Sequence, residues 1–315
     1  MSEAKREIPA ELLSDAGAAA ASPEHFFRSP EFLRAEGVTH SLRIGAEDGD
    51  LAAPLLVREI PGAEGELDAI SPYGYPGISG SGPVDPEAID FAATGLVSVF
   101  LRHTLGEPPL QGAAERNVVQ IADPALPPKS RMSDRQQVRK NLKRGYELKL
   151  VPGPETDASQ RAGFLAAYEQ TMRRTEAAER YFFGADYFDL VLSSPATWLA
   201  LALDPEGVVA AASVAARSDG YLHYYLSGSL DSHLRDSPMK NVLAALIELS
   251  AEIELPLNLG GGIVRGDRLE EFKRGFANRE EVWCTSELVC DRAAYERLAA
   301  GVEAGGFFPA YRARP

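Results

Sequence analysis

The chain has 315 residues, 45% hydrophobic and 25% charged, with a formal net charge of −14 at pH 7. Such a composition is that of a globular protein long enough for two domains. It excludes general adhesion to nucleic acid or an anionic membrane, while leaving room for a local basic patch. Cys284 and Cys290 make neither a CxxC pair nor a disulfide framework, so a reducing cytoplasm is expected. No apolar signal segment is read in the first residues, and the longest apolar run, 208–216, is too short to cross a bilayer.

Residues 1–22 show no periodic face and read as a flexible N-terminal arm. A short helix is expected at 30–35, then strands at 38–44 and 53–60 joined by a hairpin loop, Gly45–Gly49. The segment Ser71-Pro-Tyr-Gly-Tyr-Pro-Gly-Ile-Ser-Gly-Ser-Gly-Pro83 is too rich in Gly and Pro for regular structure. Its two tyrosines, Tyr73 and Tyr75, stand among backbone-exposing glycines and are candidates to bind a substrate. Asp85-Pro86 reads as N-cap and first residue of a long helix to about Thr104. A strand follows at 116–121.

Ser133-Asp-Arg-Gln136 has the pattern of a capping box opening a helix to about Tyr146. Lys129, Arg131, Arg135, Arg139, Lys140, Lys143 and Arg144 crowd this stretch against one acid, Asp134. Arg135, Arg139 and Lys143 share one i, i+4 row, and Lys140 and Arg144 another, so like charges stack and repel. A charge run is usually a solvated face. On so acidic a chain, phosphate binding by Arg135, Arg139, Lys140 and Arg144 is the better explanation.

The rest alternates clearly. A strand is expected at 148–151, helices at 157–178 and 185–193, strands at 198–203, 208–216 and 221–227, and an amphipathic helix from Ser237-Pro238. Then come a strand at 255–259, a short helix, a strand at 281–289 and a helix at 291–300, with Phe307 to Tyr311 docking by its aromatics. The short helix belongs to the run Leu257-Asn-Leu-Gly-Gly-Gly262 through Phe276. Asp267 can cap it with Glu270 three residues on, and Leu269, Phe272 and Phe276 share a face with Lys273 at its edge. Spacing alone makes this a packed helix with a solvated lysine. The five histidines lack metal spacing, the glycines at 77–82 make no P-loop or nucleophile elbow, and no metal or nicotinamide is implied.

Helix, helix, three meandering strands, helix, strand, helix, strand is the order of a GNAT acyltransferase core, and the preceding half resembles a degenerate copy. Two tandem halves, the arginine-rich helix, the strand Leu222-His-Tyr-Tyr-Leu-Ser-Gly-Ser229, the glycines at 260–262 and Leu-x-x-Phe272-Lys273-x-x-Phe276 together resemble the FemABX family. The resemblance spans roughly residues 25–300. It implies an α/β fold of two GNAT-like halves without a coiled-coil arm, divided at 23–126 and 127–315. It also implies an aminoacyltransferase that uses aminoacyl-tRNA as co-substrate, with no cofactor. The aminoacyl group would pass to the amine of a peptidoglycan precursor or of a small antibiotic-like peptide. By the motif, Lys273 would steady the oxyanion with Phe272 beside it, and Asp85 falls where the family has an acid after a Gly-Pro segment. Tyr187, Tyr224 and Tyr225 would lie near the transfer site. The family's arginine four residues before Tyr187 is Phe183 here, which disfavours a UDP-linked acceptor. The alternatives are an acyl-CoA-dependent GNAT N-acyltransferase, whose pyrophosphate turn is missing from 227–238, and a non-catalytic peptide- or RNA-binding protein.

Overall fold

A computed structural model of the chain describes residues 8–20, 24–45, 49–80 and 82–313. Parts of the expected arm (1–7 and 21–22) and of the expected hairpin loop (46–48) lie outside the described residues. The elements begin with β1 (Ile8–Leu13), α1 (Pro30–Ala35), β2 (His40–Ile44), β3 (Leu51–Ile60), β4 (Ala63–Ile70), β5 (Ile89–Asp90), β6 (Leu96–Arg102) and β7 (Ala114–Ala122). They continue with α2 (Met132–Lys143), β8 (Glu147–Pro152), α3 (Ala158–Arg174), α4 (Ala185–Ser193), β9 (Thr197–Leu203), β10 (Val209–Ser218) and β11 (Tyr221–Ser229). They close with α5 (Met239–Glu252), β12 (Leu257–Gly260), α6 (Arg268–Arg274), β13 (Arg279–Val289) and α7 (Arg292–Ala299).

Two compact units result. One comprises residues up to 22, 36–116 and 282 onward, and the other 23–35 and 117–281. This corrects the expected division at 126/127: the break falls at 116/117, and residues 23–35 belong with the second unit. The chain returns to the first unit within β13, because that strand pairs antiparallel with β6 from Thr285↔Arg102 to Val289↔Ser98. Likewise the described part of the arm is not loose: β1 pairs with β2 at Ala10↔Ile44 and with β5 at Ile8↔Ile89.

The sheet of the first unit runs β5-β1-β2-β3-β4-β6-β13. Its core gathers Leu42, Ile44, Leu51, Leu55, Ile89, Val99 and Leu101. The helix expected from Asp85 to Thr104 is not formed. Asp85 does cap, its side chain accepting from the Glu87 amide at 3.0 Å, but it caps a single 3-10 turn, 86–88. Gly95 then takes φ 65, and Leu96–Arg102 becomes a strand, β6, with partners on both edges. Such a strand is buried on both faces and reads as a continuous apolar run, which periodicity cannot separate from a buried helix. β4 escaped the sequence reading because the residues alternating with Glu64, Glu66 and Asp68 are mostly Ala and Gly, which give a weak apolar signal. The unit is pinned at Asp68, which is fully buried and receives Arg58 Nε at 2.9 Å, Arg312 and the Tyr311 hydroxyl. Through Tyr311 and Phe308, whose ring lies at 5.8 Å from that of Tyr295, the aromatic tail docks as expected.

The sheet of the second unit runs β7-β12-β11-β10-β9-β8. Its strand β10 is rich in alanine and wholly buried but for Arg217, which lets helices approach both faces closely. One face takes α5 through Val242, Leu243, Leu246 and Leu249. Against β10 and β11 also packs α3, whose Phe164 and Tyr168 meet Phe188 of α4 edge-on at 4.7 and 5.1 Å. The approach of α3 to β11 depends on Gly228: a Cβ there would lie 2.4 Å from both the Ala167 carbonyl oxygen and the Tyr168 amide. Because those are backbone atoms, Gly228→Ala is expected to destabilise the protein by about 1–3 kcal/mol or more, read as a lower urea midpoint. The capping box expected at Ser133–Gln136 is absent, since Arg131 is the N-cap of α2 and offers no side-chain bond. Asp134 instead pairs with Lys240 Nζ at 2.8 Å. A capping box between Asp157 and Gln160, which the sequence reading did not single out, opens α3. No helix among the described residues is long and apolar enough to cross a membrane.

Candidate active site

β11 and β12 run parallel but pair only at Leu222↔Leu257 and His223↔Asn258. Beyond that point β11 carries an irregularity, Ala215 and Val214 facing Tyr224 and Leu226, so that Tyr225 is the extra residue of a bulge. A bulge bends its strand and re-aims side chains, a common device beside functional sites. The open end of the β11–β12 pair is fixed from below by two buried polar side chains. Asn258 donates from Nδ2 to His223 Nδ1 at 3.1 Å, which leaves His223 Nε2 as donor to the Ser218 carbonyl at 3.2 Å. Burial pushes the His223 imidazole down to about 4, so the ring is neutral and serves as structure.

From β12 the chain passes through Gly260-Gly-Gly262 into α6. Gly260 takes φ 76, and a Cβ on Gly261 would lie 2.5 Å from Asn117 Nδ2 and 2.7 Å from the Val118 carbonyl oxygen. Only glycine allows this backbone to turn flat against β7. The turn aims the Gly261 carbonyl at Lys273, whose Nζ donates to it at 2.7 Å. Asp267 then orders the next residues, accepting from the amides of Ile263 (2.7 Å), Val264 (3.1 Å) and Glu270 (2.8 Å). The N-cap is therefore as expected. The Glu270 side chain differs from a capping box by reaching the Gly266 amide at 2.7 Å. Asp267→Ala is expected to remove about 1 kcal/mol and to speed amide exchange at Ile263, Val264 and Glu270.

Lys273 is not the solvated lysine that spacing suggested; it is 9% exposed. Burial lowers its pKa to about 8, against the opposing pull of Asp267. At pH 7 it remains an ammonium by roughly ten to one. Among the described residues Nζ has one acceptor, the Gly261 carbonyl, which leaves two N–H groups for a bound oxygen. Phe272 packs edge-on to Phe276 at 5.7 Å and against the core under α5. Two donors on a desolvated cation with a fixed rear acceptor can stabilise a developing oxyanion.

The tyrosines separate. Tyr224 bonds Ser227 Oγ at 2.6 Å, and burial pushes its phenol up to about 12, so it stays neutral. Tyr225 shares a 2.7 Å bond with the Tyr187 hydroxyl and sits among Phe26, Phe27 and Phe32. Phe183 stacks on Tyr187 at 4.0 Å, so an aromatic face occupies the position four residues before that tyrosine. Tyr73, Tyr75 and Asp85 belong to the first unit. There the Tyr73 amide donates to Glu36 at 2.9 Å and the Tyr75 ring meets Trp283 at 5.7 Å. Asp85 is exposed and engaged as a cap.

On α2 the basic residues divide as well. Arg144 is tied to Asp236, Arg135 donates to the Ser130 carbonyl and Oγ at 3.0 and 3.2 Å, and Arg139 and Lys140 are exposed. Sequence reasoning missed Asn258 and Ser227. An asparagine in a buried strand just before three glycines was the signal for the first; nothing marked the second.

The turn entering α5 does not fit the pyrophosphate of CoA. The first amides of the helix are already spent inside it, Lys240 on the Ser237 carbonyl (3.0 Å) and Asn241 on the Pro238 carbonyl (2.9 Å). The preceding 3-10 turn carries Asp231 and Asp236, held by Arg174 and by Arg144 with Tyr146. Carboxylates and occupied amides are the reverse of an anion cradle.

Residues 129–274 match the sequence profile of the acetyltransferase (GNAT) domain. No curated protein matches the sequence. Among solved structures the chain is similar to FemX, at 11% identity and a TM-score of 0.61 over 90% of this chain and 97% of that one. It is also similar to L-PGS from Bacillus licheniformis (11% identity, TM-score 0.53, 83% and 90% covered). A third likeness is the C-terminal domain of a candidate lysylphosphatidylglycerol synthetase from Agrobacterium fabrum (12% identity, TM-score 0.55, 89% and 93% covered). The chain thus has the α/β fold of FemX, and residues 129–274 of its second unit carry an acetyltransferase (GNAT) domain.

Proposed function

We propose that this protein is an aminoacyltransferase that moves an aminoacyl group from aminoacyl-tRNA to the amine of a peptide acceptor. The observation that carries the reading is the buried ammonium of Lys273, fixed by the Gly261 carbonyl beside Phe272 on the helix that follows β12. In the reaction the acceptor nitrogen attacks the ester carbonyl carbon and a C–N bond forms. The carbonyl oxygen gains negative charge, which the Lys273 ammonium offsets. The C–O bond to the tRNA ribose then breaks, the ribose oxygen takes a proton, and the amine nitrogen loses one. A lysine whose pKa is about 8 is matched to donating that proton near neutral pH. On α2, Lys140 and Lys143 are exposed, have no acidic partner among the described residues, and would hold tRNA phosphates. The occupied turn at α5 supports an acyl donor other than CoA. Phe183 on Tyr187, in place of the arginine of the FemABX pattern, supports an acceptor without a diphosphate, such as a secondary-metabolite peptide or nucleoside.

The test incubates purified protein with aminoacyl-tRNAs carrying labelled amino acids and a pool of peptide amines. Label is expected in an amide product, abolished by ribonuclease pretreatment and by Lys273→Ala. A product that survives ribonuclease and requires an acyl-CoA would replace this reading by the N-acyltransferase one. Stable RNA or peptide binding with no product under any donor would make the protein a binding module.

A further inference from the structure

The second unit holds a cavity of about 460 Å³ between α2, the C-terminal half of α5 and the segment 122–130, to which the transfer reading gives no role. Its walls are aliphatic: Leu126, Val138, Ala244, Ile247 and Ala251, closed by Phe276. Cations gather on the lining. Lys129, Arg135 and Arg139 all contribute, and among the described residues neither Lys129 nor Arg139 has an ion-pair partner. Two acids are also present. Asp123 is tied to Arg279 Nε at 2.8 Å, which leaves the exposed Glu248 as the one carboxylate not offset. The lining therefore keeps an excess of positive charge on a chain whose net charge is −14.

We propose that this cavity binds an anionic amphiphile: an aliphatic chain of about eight carbons or more in the apolar well, ending in a carboxylate or phosphate held by Lys129, Arg135 and Arg139. The volume lies within the range of small-molecule sites. Burial of methylenes supplies the affinity and the guanidinium groups the polarity of insertion. A nucleobase is a poorer occupant. Base pockets use aromatic platforms, whereas Phe276 is the sole aromatic residue of the lining, is 5% exposed and is already engaged edge-on by Phe272. The helix therefore presents different cations to different anions, with Arg135 and Arg139 at the cavity and Lys140 outside its lining.

Titration calorimetry of the full chain with sodium octanoate, octyl phosphate, inorganic phosphate and AMP tests this directly. One equivalent of octanoate or octyl phosphate is expected to bind, at least tenfold more tightly than inorganic phosphate or AMP. The two alkyl ligands distinguish a carboxylate from a phosphate head. Ala244→Phe and Ala251→Phe, each filling the well, are expected to abolish alkyl binding, and Arg139→Gln to weaken it about tenfold. Lys140→Gln should leave it unchanged. Equal binding of octanoate and inorganic phosphate, tighter binding of AMP, or octanoate binding that survives both filled variants with intact circular dichroism would overturn the proposal. None of these readouts depends on aminoacyl transfer.

Discussion

Replacing Lys273 with methionine is expected to lower the rate of aminoacyl transfer by about 10²–10³-fold and to raise thermal stability at pH 7. The two effects have one cause. The side chain is 9% exposed, and burial holds its pKa at about 8 instead of 10.5, so the folded protein carries a charge its interior disfavours. A methionine of similar length removes that charge at the expense of one hydrogen bond to Gly261, and such exchanges are often neutral or stabilising by 1–4 kcal/mol. The sign of the pH dependence follows. Between pH 8 and 10.5 the unfolded chain binds the proton that the folded chain has released. Raising the pH over that window therefore stabilises the wild type relative to Lys273→Met, by about 3 kcal/mol at full titration. Denaturant midpoints of both proteins from pH 7 to 10 give the comparison, and parallel curves would remove the buried ammonium from the mechanism. In the transfer assay, a cationic role predicts activity falling above pH 8, and Lys273→Arg should shift that limb upward because a guanidinium stays charged.

Asp68→Ala is the second large effect, and it concerns the first unit alone. Asp68 is fully buried and engages Arg58, Arg312 and Tyr311. Removing the carboxylate strands two guanidinium groups around a cavity, and breaking a buried pair in this way costs about 3–5 kcal/mol. The lower end applies here because Arg58 is one-third exposed. The two tryptophans report separately, Trp283 lying in the first unit and Trp198 in the second. In a Trp198→Phe background the fluorescence transition of Trp283 is expected at a lower urea concentration. In the converse background the Trp198 transition should move much less.

The second unit was legible in the sequence almost element by element, because β8 to β12 and their helices are local neighbours with clear turn chemistry. The N-cap at Asp267 was visible for the same reason. The first unit was not, since its order depends on pairings that no local pattern encodes: β1 with β5, β4 with β6, and β13 with β6. At the candidate site, the motif pointed to Lys273 and Phe272, but spacing could not reveal that Nζ is buried against a carbonyl twelve residues back. The charge run on α2 was read as one feature. Tertiary contacts divide it among Asp236, Ser130 and the cavity, a partition set by which face of the helix each residue occupies.

That β6 finds its second neighbour only in β13, after the whole second unit, has a consequence for biosynthesis. Asp68 and Tyr311, which share a hydrogen bond, stand 243 positions apart. At 5–20 residues per second a ribosome needs roughly 10–30 s to deliver the intervening second unit. During that interval β6 lacks its β13 neighbour and Asp68 faces Arg58 without the tail. The first unit to emerge is thus the last that can be completed, and the nascent chain carries an open strand edge until the second unit has left the exit tunnel.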